Sequence, residues 1–106
     1  MKRLLLLNLF VLILQAHTSI KFKCSIIAEG DCLLGKNMFI NNPDTHWAYK
    51  VTVRTFRQEG GKKSKSDKVY NIIAGGRIFL GCTKESILSY PRFVDKRYEI
   101  ISETKI

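Results

Sequence analysis

Residues 47–57 read WAYKVTVRTFR, and most of the stretch alternates in character. Trp47, Tyr49, Val51 and Val53 occupy one set of alternate positions; Lys50, Thr52 and Arg54 occupy the other. A period of two marks a β-strand with one face in a core and one in solvent. Valine, threonine and aromatic residues suit such a half-buried pleated surface. The stretch therefore predicts a strand over 47–57, with Trp47 on its core side. Upstream, NNPD (41–44) is a turn by composition, and NMFIN (37–41) is a short strand. EGDCLLGK (29–36) is a connection, and residues 20–28 form a strand with Phe22, Cys24 and Ile26 inward. Downstream, GGKKSKSDK (60–68) reads as a hairpin loop. VYNII (69–73) and RIFLGC (77–82) are strands on either side of Ala74-Gly75-Gly76. TKESILSYPRF (83–93) reads as an irregular or short helical link, and residues 94–102 form the last strand. Six closely spaced strands without a long helical period predict an all-β fold, an antiparallel two-sheet sandwich.

The span from Asn37 to Cys82, MFINNPDTHWAYKVTVRTF…VYNIIAGGRIFLGC, resembles the immunoglobulin-like or fibronectin-type sandwich modules of secreted bacterial proteins. The shared pattern is an apolar strand ending in Asn, a turn and a long Val/Thr strand. A basic or Gly-rich loop follows, then an apolar strand. The sequence departs from it in two places. Ala74-Gly75-Gly76 stands where such modules have Pro-Gly, and six strands are read where seven are usual. The resemblance implies a fold and no activity.

The N-terminus, MKRLLLLNLFVLILQAHTS, has the layout of a secretory signal peptide. Lys2 and Arg3 precede an apolar run from Leu4 to Leu14, and small or polar residues follow. A membrane span needs roughly 20 apolar residues, more than this run supplies. The expected organisation is a signal peptide over 1–18, cleaved between Ala16 and Ile20, then one domain over 19–106. The expected location is periplasmic or secreted. The remaining chain stays basic and is long enough for one modest core. No N-x-S/T sequon occurs.

Three cysteines, Cys24, Cys32 and Cys82, allow at most one internal bridge. A zinc site would need His46 as fourth ligand, and no C-x₂₋₄-C pair exists. A structural disulfide is the preferred reading. In the strand order the resemblance implies, 37–41 lies antiparallel beside 77–82, which brings Cys32 to Cys82 and leaves Cys24 as a buried thiol. Cys24–Cys82, which also joins two inward-facing positions, stands as the rival pair.

Four lysines and one aspartate crowd into residues 60–68. Lys62, Lys63, Lys65 and Lys68, with Arg54 and Arg57 on the neighbouring strand, are the candidate anion-binding set. A solvated loop is the simpler reading, because charge runs usually face solvent. Specific nucleic-acid binding is not expected: Phe56 and Tyr70 flank the loop and none of its residues is aromatic. His46-Trp47 reads as an exposed histidine beside a core tryptophan, and SYPRF (89–93) as a partner-binding edge or a lid. No nucleophile–base pair, phosphate loop, metal set or cofactor motif is read. The expected function is an exported, non-catalytic binding or structural module of the envelope or extracellular space. Its partner would be a protein or an envelope polymer. A secreted effector or inhibitor is the alternative, and a cationic binder of anionic polymer or membrane surface is a weaker one.

Overall fold

The computed structural model describes residues 21–87 and 92–106. The leader over 1–18, its cleavage point, and Ser89 to Pro91 of the SYPRF segment lie outside the described residues. Seven strands follow in order: β1 Ser25–Asp31, β2 Lys36–Asn41, β3 Tyr49–Glu59, β4 Lys62–Ile72, β5 Arg77–Cys82, β6 Lys84–Ile87 and β7 Arg92–Lys105. They form two antiparallel sheets, β1-β2-β5 and β4-β3-β7-β6. Among the described residues, no helix is long and apolar enough to cross a membrane.

The core lies where the alternating faces of both sheets meet. Ile40 of β2 and Cys24, just before β1, pack with Tyr49, Val51 and Val53 of β3 and Ile72 of β4. Ile26, Ile78, Leu80, Tyr70, Tyr98 and Ile100 close around them. The sandwich expected from the alternation of 47–57 is the one observed. Glu103 of β7 adds a polar tie between the sheets. Its two carboxylate oxygens accept the backbone N–H groups of Lys23 (2.9 Å) and Cys24 (2.8 Å).

The pairing of β2 with β5 runs antiparallel from Asn37↔Cys82 to Asn41↔Arg77, as the sequence suggests. A register shift lies between Met38 and Phe39 on β2, opposite the stretch from Gly81 to Phe79 on β5. Gly81 there has φ 144, and a Cβ would stand 2.5 Å from the Tyr98 hydroxyl. Only glycine lets β5 pass this close to the facing sheet. At the end of β5, Cys82 forms a disulfide with Cys32, their Cα atoms 6.1 Å apart. The bridge pins the β1–β2 turn to the end of β5.

Four local expectations change. The strand begins at Tyr49, and Trp47 is 49 % exposed instead of in the core. The Asp44 carboxylate accepts the backbone N–H groups of His46 (2.9 Å) and Trp47 (3.2 Å), so Trp47 belongs to a turn and loses its strand phase. The first strand starts at Ser25, later than its apolar positions suggest. The stretch read as an irregular or helical link contains β6, which supplies the seventh strand. The fourth change concerns GGKKSKSDK, which is not a loop. Glu59 pairs with Lys62, so the turn is Gly60-Gly61 alone and the lysines lie on β4. Gly60 has φ 58, the positive value that primed two-residue hairpin turns require. A polar composition conceals a strand when its residues need to satisfy solvent on both faces.

Candidate functional site

The two sheets differ in length. β3 and β4 have 11 residues each and β7 has 14, whereas β1, β2 and β5 have 7, 6 and 6. At about 3.4 Å per residue, β3 outruns β2 by roughly 17 Å. The burial pattern records the overhang. Tyr49, Val51 and Val53 are buried, while β4 is exposed from Lys62 through Val69. The outer half of the hairpin, residues 54–67, carries five cations and two carboxylates and contributes no side chain to the central core cluster.

The register sorts the six candidate cations onto two faces. Val53↔Lys68, Arg57↔Ser64 and Glu59↔Lys62 lie in phase with the core-facing residues, which puts Arg57, Lys62 and Lys68 on the inner side. Arg54↔Asp67, Phe56↔Lys65 and Gln58↔Lys63 put Arg54, Lys63 and Lys65 on the outer side. The structure therefore brings Lys63 and Lys65 together and separates them from Lys62 and Lys68. Arg54 is held by Asp67 through Nε (2.9 Å) and Nη2 (3.1 Å), so its charge is already matched. The Lys68 ammonium sits 5.2 Å from the centre of the Tyr70 ring.

Residues on β6 and β7 complete the outer face, and the sequence reading missed them. Phe56 pairs with Arg97 on one side and Lys65 on the other, giving a row of lysine, phenylalanine and arginine across three strands. The Arg97 guanidinium lies 4.1 Å from the centre of the Phe56 ring. In the next row stand Lys63, Gln58, Asp95 and Lys84. The Lys84 ammonium lies 5.0 Å from the centre of the Phe93 ring. A groove of about 350 Å³ beside Phe56, Lys63 and Arg97 opens on this end of the sheet. The one signal in the sequence was phase: Phe56 alternates with Arg54 and Lys50, outside the core set.

Two other groups have distinctive chemistry. The Cys24 thiol is 3 % exposed. Burial, with the Glu103 carboxylate second, pushes its pKa up to about 12. A thiol that stays protonated is a poor nucleophile, so Cys24 acts as a small apolar residue. Iodoacetamide should label no cysteine in the folded protein, one in urea, and three in urea after reduction, counted by mass. Labelling of one thiol in the folded state would place Cys24 outside the core.

The second group is the turn at Asp44. The Tyr49 hydroxyl donates to the Asp44 carboxylate at 2.8 Å. The backbone N–H of His46 and that hydroxyl hold Asp44 below the usual carboxylate range. The same bond raises Tyr49 to about 12. The contribution of Asp44 is present above its ordinary pKa of about 4 and is lost as pH falls through the lower folded value. That of Tyr49 is present below about 10 and is lost as pH rises towards 12. Urea midpoints should fall at both extremes, and Tyr49→Phe should shrink the alkaline limb to the part that the buried Cys24 thiol carries. An alkaline limb unchanged in that variant would assign it to another group. The His46 ring contacts the Thr45 hydroxyl at 3.1 Å. Among the described residues, no three His, Cys, Asp or Glu side chains gather as metal ligands.

Compared with models of protein families, with curated proteins and with solved structures, the chain matches nothing in any of the three.

Proposed function

We propose that the protein is an exported, non-catalytic binding module of the cell envelope or extracellular space. Its working part is the overhanging end of the long sheet. The supporting observation is the overhang itself. About half of a hairpin built from two eleven-residue strands extends past the short sheet and adds nothing to the central core. Strand that lies outside the central core and faces solvent along β4 is surface available for contact. Export rests on the leader-like residues 1–18 and agrees with a disulfide, which persists in oxidising compartments.

Mass spectrometry of the protein from its native host tests export. The expected N-terminus falls between residues 16 and 20, and an intact Met1 on the folded protein would overturn this reading. Replacing Lys62, Lys63 and Lys65 with glutamine tests whether the overhang serves stability. The melting free energy should change by under about 0.5 kcal/mol, as at other exposed positions. A larger loss would make these lysines part of the scaffold.

A second reading, an effector or inhibitor of a partner protein, draws on one feature. β4 is the terminal strand of its sheet and offers an unpaired edge to an added strand. A stoichiometric complex with one enzyme that survives high salt would favour it.

A further inference from the structure

We infer that the outer face of the overhang binds a linear acidic polysaccharide, through Lys63, Lys65 and Arg97 arranged around Phe56, with Lys84 beside Phe93 at the far edge. The inference rests on the reading of the overhang as the contact surface and names its ligand class.

Three observations carry it. The first is that the cations are ordered. They sit on paired strands instead of a flexible loop, so a ligand need not first offset the entropy of fixing the backbone. The second is the pairing of cations with rings. Arg97 over Phe56 and Lys84 over Phe93 hold two positive groups at fixed positions on a sheet. The Arg97 guanidinium has Glu99 at 3.5 Å from Nη1 and keeps its other N–H donors for a carboxylate or sulfate. The third is the balance of charge. On the outer face Arg54 and Asp67 match one another, Glu99 lies 3.5 Å from Arg97 and Asp95 stands between Gln58 and Lys84. Among the described residues Lys63 and Lys65 have no carboxylate partner within salt-bridge distance, so the face keeps an excess of cations.

The rings also discriminate between polyanions. Single-stranded nucleic acid is held by bases stacked on open aromatic faces. Here each ring already carries a cation, so the surface offers charge and donors more than stacking area. A chain of sugars bearing carboxylate or sulfate groups needs the former.

A matched pair of variants tests the face. Lys63→Gln with Lys65→Gln and Lys62→Gln with Lys68→Gln remove the same charge from the same strand, on opposite faces. Binding of a heparin-derived oligosaccharide at physiological salt should weaken roughly tenfold in the first and less than about threefold in the second. The salt slope should fall by about 1 for each outer lysine removed. Phe56→Leu should weaken binding and Phe56→Trp should restore it, which a merely apolar role would not require. Equal losses in the two lysine pairs would reduce the effect to net charge and overturn the inference. So would no binding by the wild type, or tighter binding to oligothymidylate or to phosphatidylglycerol vesicles than to heparin and polygalacturonate. These outcomes leave export untouched, and an unprocessed N-terminus would leave the face untouched, so the two readings fail separately.

Discussion

Replacing Cys32 and Cys82 together by serine should lower the unfolding free energy by about 4 kcal/mol. The bridge closes a loop with a sequence separation of 50, and the chain-entropy relation for that length gives this value. Domains of this size have a net stability of only about 5–15 kcal/mol, so the loss is a large share of the total. At roughly 4–8 °C per kcal/mol the melting temperature should drop by about 20 °C. The position of the bond adds to the effect. The short sheet has three strands of at most 7 residues, and the bridge ties its β1–β2 turn to the end of β5. Thermal melts of the parent, the double variant and the reduced parent would check it. A double variant melting within about 3 °C of the parent would show that packing alone holds this end. Cys32→Ser alone leaves Cys24 and Cys82 as thiols. It should stay unbridged, because Cys24 lies in the core and Cys82 at the far end of its strand.

The second large effect is expected at Asn42, 1 % exposed and the one buried polar side chain among the described residues. Its Nδ2 donates to the carbonyls of Trp47 (2.9 Å) and Ile73 (3.0 Å), and its Oδ1 accepts from the Asp44 N–H at 3.1 Å. Its own N–H donates to the Gly76 carbonyl at 2.9 Å. One amide thus joins the end of β2, the approach to β3 and the turn after β4. Asn42→Ala leaves the Trp47 carbonyl and the Asp44 N–H without their partner, at about 1–3 kcal/mol for each buried group, while the Ile73 carbonyl keeps the Gly76 N–H at 2.9 Å. The expected loss is about 3 kcal/mol. Asn42→Asp keeps the shape and removes the donors, setting a carboxylate against two carbonyl oxygens. It should cost at least as much at neutral pH. Its folded pKa would be raised, so stability should recover as pH falls and the carboxyl becomes a donor. Chemical denaturation of both variants at pH 4 and pH 7 would decide this. An Asn42→Asp variant as stable as the parent at pH 7 would mean that the amide donors are not needed.

The two predictions mark what the sequence made legible. Alternation in Val51, Val53, Ile40 and Ile26 showed the sheets and the core, because a buried face writes itself into every second residue. The β2–β5 pairing and the Cys32–Cys82 bridge followed from the strand order that the resemblance implied, with Cys24–Cys82 left as the rival pair, and the structure forms the first. Trp47 was misplaced because phase was extended through a turn that Asp44 interrupts. The outer part of β4, 62–68, was hidden because an exposed edge strand has no apolar face to declare it. The candidate face was half legible. Lys63 and Lys65 stood out as charge, but Phe56, Arg97, Lys84 and Phe93 meet only through register, which no local pattern records.

The long hairpin also sets an order of events as the chain folds. β3 and β4 are joined by two residues, and such hairpins close in about 1–10 μs. Their partners arrive later: β2 must find β5 some forty residues on, and β7 must return to β3 from a similar distance. For that interval Tyr49, Val51, Val53 and Ile72 form an apolar stripe with nothing to cover it. The same two strands carry Lys62, Lys63, Lys65 and Lys68 ahead of that stripe. Mutual repulsion between such cationic hairpins would oppose contact between the exposed stripes of neighbouring chains before the short sheet closes over the core.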